Sequence, residues 1–257
     1  MLSFAPPIAD PVFYMAAIPA VLIMGISKGG IGGGLGILTV PILTLVVPPL
    51  QAAAIMLPIL CIMDLFGVRA YWGRFDRVNM RIILPAAFLG LAIAWATADI
   101  TKPEDIRLIL GVISVVFALD YWLGFGKNRA TASPNAAKGW FWGTISGFTS
   151  FIAHAGGPPI SVYLLPQRLD QRIFVGTTIF FFTALNYAKI VPYIFLGQFD
   201  GRNLATSALL ALLAPVGIWI GVWLVARIDR QLFYRIAYML VLLVGSKLLW
   251  DGIAARF

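Results

Sequence analysis

Charge is what this sequence has least of. Only 12% of its 257 residues are Asp, Glu, Lys or Arg, against about 25% in a soluble domain. One cysteine, Cys61, excludes an intrachain disulfide. With His154 the lone histidine, an ordinary metal site is excluded too, and no metal or cofactor is expected. There is no serine-nucleophile motif, no paired acidic site and no ATP-binding motif. An enzyme is therefore not expected, and a primary pump would need another subunit. Nor do the apolar stretches alternate with polar residues, as strands of a membrane barrel do over about 10 residues. Leu108–Leu119 (LILGVISVVFAL) is apolar all round.

What is there is apolar length. Hydrophobic residues make up 60% of the chain and its mean hydropathy is +0.90. No soluble core could hide so much apolar surface, so lipid is the solvent. Runs such as Ile82–Ala98, Ile106–Leu123, Leu204–Ala226 and Leu232–Leu249 approach the roughly 20 residues that cross a hydrocarbon core. The N-terminal MLSFAPPIADPVF has no basic region before its first apolar stretch, which predicts a retained span rather than a cleaved signal. The net charge of +8 sits in short loops between runs, where the positive-inside rule accounts for it, so nucleic acid is not an expected partner.

The chain contains an internal duplication. Gly73-Arg-Phe-Asp76-Arg-Val-Asn79 resembles Gly197-Gln-Phe-Asp200-Gly-Arg-Asn203, each copy following a tyrosine, Tyr71 or Tyr193. Arg107 and Trp122 recur as Arg235 and Trp250, Asp99 as Asp229, Gly25 as Gly147, and Asp64 as Asn186, all in the same order. A polar stretch, Gly126–Lys138, joins the copies. The expected organisation is a first transmembrane repeat over 1–125, a cytoplasmic linker over 126–138 and a second repeat over 139–257. Each copy has a long apolar block (Pro11–Val47, Trp140–Leu165) and then three spans, near 51–71, 80–98 and 105–123, and near 171–196, 203–226 and 232–250. If the blocks go in and out, nearly all basic loop residues from Arg69 to Arg235 share one face, leaving Lys102, Arg107, Arg202 and Arg256 opposite. That asymmetry predicts inverted repeats of about five segments each, an all-α polytopic membrane protein of 8–10 transmembrane helices, with both termini outside the cytoplasm. Whether each block is two spans or a re-entrant hairpin is left open by parity.

Both blocks are interrupted. Gly25–Gly36 (GISKGGIGGGLG) holds seven glycines in twelve residues, each costing about 1 kcal/mol against alanine in a helix. Gly147–Pro159 (GFTSFIAHAGGPP) is broken by glycine and proline. Paired interruptions in two inverted halves point to a transporter's central site. Broken helices there offer free N–H groups to an anion. Close helix packing through small residues is the competing account of the glycines. The expected substrate-binding residues are Ser27, Lys28, Gly29, Gly30, Gly33 and Gly34 from the first block. Thr149, Ser150, His154, Gly156 and Gly157 come from the second, and Asn186 and Lys189 follow it. The two breaks are expected to face each other across a cavity. His154 and Asp64 are the candidates for a coupling role, His154 ahead of Asp64. Asp64 and Lys189 are placed late in their spans, where side chains can also snorkel to the interface.

These residues resemble the TauE/SafE family of sulfite and organosulfonate exporters. The resemblance is carried by GxSKGGxGGGxGxxxVP over Gly25–Pro41, by Gly156-Gly-Pro-Pro-Ile-Ser-Val-Tyr-Leu-Leu165, by Phe174-Val-Gly-Thr177, and by Phe181, Phe182, Asn186, Lys189, Pro192 and Tyr193. It covers nearly the whole chain. It implies a multi-pass protein of the bacterial inner membrane, with lipid around it and a small sulfur-containing anion as substrate, and export as the direction. A homodimer is compatible with it. An anion channel on the same break, a carrier of another small organic anion, and an intramembrane enzyme using His154 are the alternatives. The last has no second catalytic partner.

Overall fold

The computed structural model describes residues 7–30, 39–43, 46–47, 49–98, 103–123, 131–197 and 199–255. Every regular element among them is helical: α1 (Pro11–Gly30), α2 (Thr39–Leu43), α3 (Pro49–Ala70), α4 (Arg77–Ala96), α5 (Pro103–Leu123), α6 (Ala136–Ala153), α7 (Gly157–Leu164), α8 (Gln171–Phe195), α9 (Gly201–Ala211), α10 (Ala214–Val225) and α11 (Arg230–Ala254), with a single 3₁₀ turn at Leu165–Gln167. By length and apolarity five of these, α1, α3, α4, α8 and α11, can cross a membrane, and six if α9 and α10 together form one span. Twenty residues at 1.5 Å per residue span about 30 Å, the thickness of the hydrocarbon core.

The helix starts follow from local chemistry. Asp76, Asn135, Asp200 and Asp229 are N-caps whose side-chain oxygens accept from the backbone N–H of Asn79, Lys138, Asn203 and Leu232, at 2.7, 2.9, 2.8 and 2.9 Å. The duplicated motif folds alike in its two copies. Gly73 and Gly197 both take positive φ (72° and 63°), and Asp76 and Asp200 cap the following helix identically.

One expected span differs. The stretch 203–226, expected to be one continuous span, bends by 43° between α9 and α10. Pro215 stands at the start of α10 and can donate no N–H, and its ring crowds the carbonyl four residues back. The second apolar block breaks where its glycines and prolines sit, between α6 and α7. Eight residues make α7 about 12 Å long. That is well short of a crossing.

The chain forms two compact units, and neither is one half of the sequence. The first comprises Met1–Gly73 and Thr178–Arg227, the second Arg74–Thr177 and Ile228–Phe257. In the first, α1 lies on α10 and α3 on α9, around a core that includes Phe13, Val21, Ile55, Met56, Leu210 and Ile218. Here the glycines pack. A Cβ on Gly25 would come within 2.8 Å of the Gly217 Cα, and one on Gly30 within 2.8 Å of the Gly221 carbonyl oxygen. Small residues on both helices let the backbones touch, which drives association where lipid offers no hydrophobic contrast. In the second unit α6 packs on α4 and α5 on α11, the latter with Tyr121 stacked on Tyr238 at 3.7 Å. Each unit also holds an amide pair drawn from both sequence halves, part-buried in the first and buried in the second. Gln51 Nε2 donates to Asn203 Oδ1 at 3.0 Å in the first, and Asn79 Nδ2 to Gln167 Oε1 at 2.8 Å in the second.

Candidate functional site

The first unit has a polar centre inside apolar helices. Lys28 lies in the last turn of α1, where a cation complements the negative end of the helix dipole. Its Nζ is 2.5 Å from Asp64 Oδ1 of α3 and 3.5 Å from the Leu60 carbonyl oxygen. Two α8 side chains also hold Asp64: Thr183 Oγ1 donates to Oδ1 and Asn186 Nδ2 to Oδ2, both at 2.9 Å. Lys189, one turn beyond Asn186, lies within electrostatic reach of Lys28, Asp64 and Cys61. Lys28 is 4%, Asp64 0% and Lys189 1% exposed, so none of the three reaches water by snorkelling, which corrects that reading of Asp64 and Lys189. Burying charge costs several kcal/mol per ion unless partners repay it, and for Asp64 those partners are its three donors, Lys28, Thr183 and Asn186.

Ser27, Gly29 and Gly30 are buried beside Lys28 at the same helix end. Because α1 stays helical through Gly30, this end presents carbonyls, not amides: the Gly29 oxygen accepts from Tyr71 Oη at 2.6 Å. Glycine here serves contact with α10, since a Cβ on Gly29 would meet the Ile218 carbonyl oxygen at 2.5 Å. Gly33 and Gly34 lie outside the described residues.

The second group of expected site residues belongs to the second unit. Thr149 and Ser150 are buried near the end of α6, and His154 ends that helix in the left-handed conformation (φ 50°, ψ 28°). The turn is braced from within. Ser146 Oγ donates to the Gly156 carbonyl oxygen at 2.7 Å and Thr149 Oγ1 to that of Ala155 at 3.2 Å, while the Ala155 N–H returns to the Thr149 oxygen at 3.1 Å. Gly156 then caps α7, whose second and third residues are Pro158 and Pro159. Two of the four N–H groups a helix start normally exposes are thus missing, and those of Gly156 and Gly157 stand alone at its head.

Within the first unit the structure therefore brings together Lys28, Asp64, Asn186 and Lys189 from α1, α3 and α8. Thr183 was missed. Its signal was its spacing: Thr183, Asn186 and Lys189 recur every three residues and make one polar stripe on α8. The Tyr71 hydroxyl and the Tyr187 hydroxyl, which donates to the Cys61 carbonyl oxygen at 3.3 Å, were missed as well, being single tyrosines in apolar runs.

Among known proteins, the sequence model described as "Sulfite exporter TauE/SafE" matches residues 17–248. No curated protein and no solved structure matches the chain.

Proposed function

Because the chain belongs to the sulfite exporter TauE/SafE family, whose model spans residues 17–248, and is a multi-pass membrane protein, we propose that it is a secondary transporter of a small sulfur-containing anion, sulfite or an organosulfonate. The observation that carries this reading is the buried centre of the first unit, where Lys28 and Lys189 sit with Asp64, Thr183 and Asn186. Ionisable side chains inside membrane helices are expensive, and a substrate path is the usual reason for them. Lys28 and Lys189 supply positive charge. The Asn186 amide has a second N–H beyond the one it gives Asp64, a donor of the kind that suits sulfonate oxygens.

The direction proposed is export from the cytoplasm across the bacterial inner membrane, with the termini outside. An anion leaving an inside-negative cell runs downhill by about 2.3 kcal/mol per charge per 100 mV. Export needs no coupling ion on that account. The test is flux in liposomes containing the purified protein, with sulfite, sulfate, sulfoacetate, taurine and acetate compared. Saturable flux of a sulfur oxyanion above that of acetate is expected. Flux no greater than in empty liposomes would sink the transporter reading, and ohmic single-channel currents would replace it with a channel.

A further inference from the structure

The ion pair that joins α1 to α3 inside the first unit has two members held unequally. Besides Lys28, Asp64 has a partner on each carboxylate oxygen: Thr183 at Oδ1 and Asn186 at Oδ2, both from α8. Lys28 has Asp64 at 2.5 Å and a long contact, 3.5 Å, to the Leu60 carbonyl oxygen. With the pair apart, Asp64 keeps two good donors and Lys28 keeps that one long contact. The lysine, on its flexible four-carbon stem, is therefore the member free to change partner.

What Lys28 holds is itself a small oxyanion. A carboxylate and a sulfur oxyanion bind an ammonium in the same way, through charge-assisted N–H···O bonds. The ammonium has three hydrogens, so bonds to both are available. Two anions on one ammonium nevertheless repel each other in a low-dielectric interior. Resting on the transport reading above, we propose that Asp64 is a tethered stand-in for the transported anion: it holds Lys28 while the site is empty, and the arriving anion takes Lys28 from it. Asp64 is then a positioning residue that acts through Lys28 and does not touch the substrate. The stand-in affects transport in two opposite ways. It weakens the apparent affinity according to how often it holds Lys28. If it does so in about nine-tenths of empty sites, binding is about tenfold weaker than at an unpaired lysine. It also spares the empty carrier a bare buried ammonium, whose solvation cost would hinder the return across the membrane. Net transport, in which the carrier returns empty, therefore needs Asp64. Exchange of one anion for another keeps the site loaded in both directions and does not.

The experiment loads liposomes containing the full chain with radiolabelled sulfite and, in parallel, with radiolabelled sulfoacetate. Dilution into buffer alone reads net efflux, and dilution into the same anion unlabelled reads exchange. For the natural protein the two rates are expected to lie within threefold of each other. Asp64→Asn is expected to lower net efflux relative to exchange at least tenfold. It is also expected to lower the anion concentration that half-saturates exchange at least tenfold. Both quantities are read within one preparation, so an inactive fraction alters neither. If Asp64→Asn does not fold, Thr183→Val takes its place. It removes a donor that Asp64 has apart from Lys28, so Asp64 gives up Lys28 less readily and half-saturation is expected to rise at least twofold. A value unchanged or lowered in Thr183→Val overturns the stand-in role. So does an Asp64→Asn rate ratio or half-saturation within twofold of the natural one, and so does a natural protein that exchanges without net efflux. Each of these leaves the transporter standing. No flux of either anion through the natural protein overturns the transport reading and this inference with it.

Discussion

Asp64 accepts three donors, and the consequence of removing one depends on which charge is left behind. Lys28→Met keeps the length and apolarity of the side chain but strands a buried carboxylate, at a cost of about 3–5 kcal/mol. It is expected to lower stability by about that amount and transport at least tenfold. Adding Asp64→Asn to Lys28→Met should recover most of the stability and none of the transport. Denaturation of the four members of this double-mutant cycle checks the first half, and additive losses would show that the pair is not coupled. His154 offers a contrasting case. Its φ of 50° is one that glycine adopts without strain and β-branched residues resist. His154→Gly is expected to leave stability unchanged or raise it by up to about 1 kcal/mol, and His154→Val to lower it by about 1–3 kcal/mol, read from unfolding midpoints. If His154 also carries protons, His154→Gln will flatten the response of flux to a pH gradient; a retained response removes it from that role. Lys28, Asp64, Asn186 and Lys189 were each legible in the sequence as polar residues in apolar runs. Their assembly was not, because the partners come from three helices far apart in the chain, and composition marks expensive residues without naming what repays them.

At the scale of the helix, the glycines of α1 are legible as a signal whose meaning the sequence leaves double. Free amides and close packing predict the same composition, and Gly25, Gly29 and Gly30 are packed against α10. Gly29→Val is expected to destabilise the protein by more than about 2 kcal/mol, since backbone atoms of Ile218 stand where its Cβ must go. Gly73→Ala has open space around its Cβ, so only its φ of 72° resists, at about 1 kcal/mol. Comparable losses at the two sites, measured by thermal unfolding in one detergent, would contradict the backbone contact. The break between α6 and α7 could be read directly from Gly156-Gly-Pro-Pro159. The bend between α9 and α10 could not. Pro19, Pro58, Pro85 and Pro192 all sit inside helices that continue through them, so a proline marks a strained position, and the neighbours decide whether the helix parts there.

For the whole molecule, the sequence repeat and the compact unit are different divisions. The repeat is visible as colinear residues; the units follow from which helices touch, and α1 with α10 or α4 with α6 are pairings across the halves. Residues 1–130 and 131–257 expressed together as two chains are therefore expected to copurify and bind substrate. Either one alone should aggregate, and a monodisperse, helical 1–130 fragment would contradict the pairing of helices across the halves. Orientation has its own test. Cys61 is buried, so a cysteine placed at the exposed Ser133 can be labelled against a low background. Ser133→Cys is expected to label from the cytoplasmic side and cysteines at the two termini from the opposite one; labelling of all three from one side would refute the inverted arrangement. The pairing of α1 with α10 also sets an order of events during synthesis. Translation at about 5–20 residues per second takes roughly 10–40 s to pass from Gly30 to Ala214. Throughout that interval α1 is already made while the helix that covers its glycine face is not. A nascent chain paused there presents bare backbone and the buried lysine of α1 to the insertion machinery, which must shelter both until the partner helix arrives.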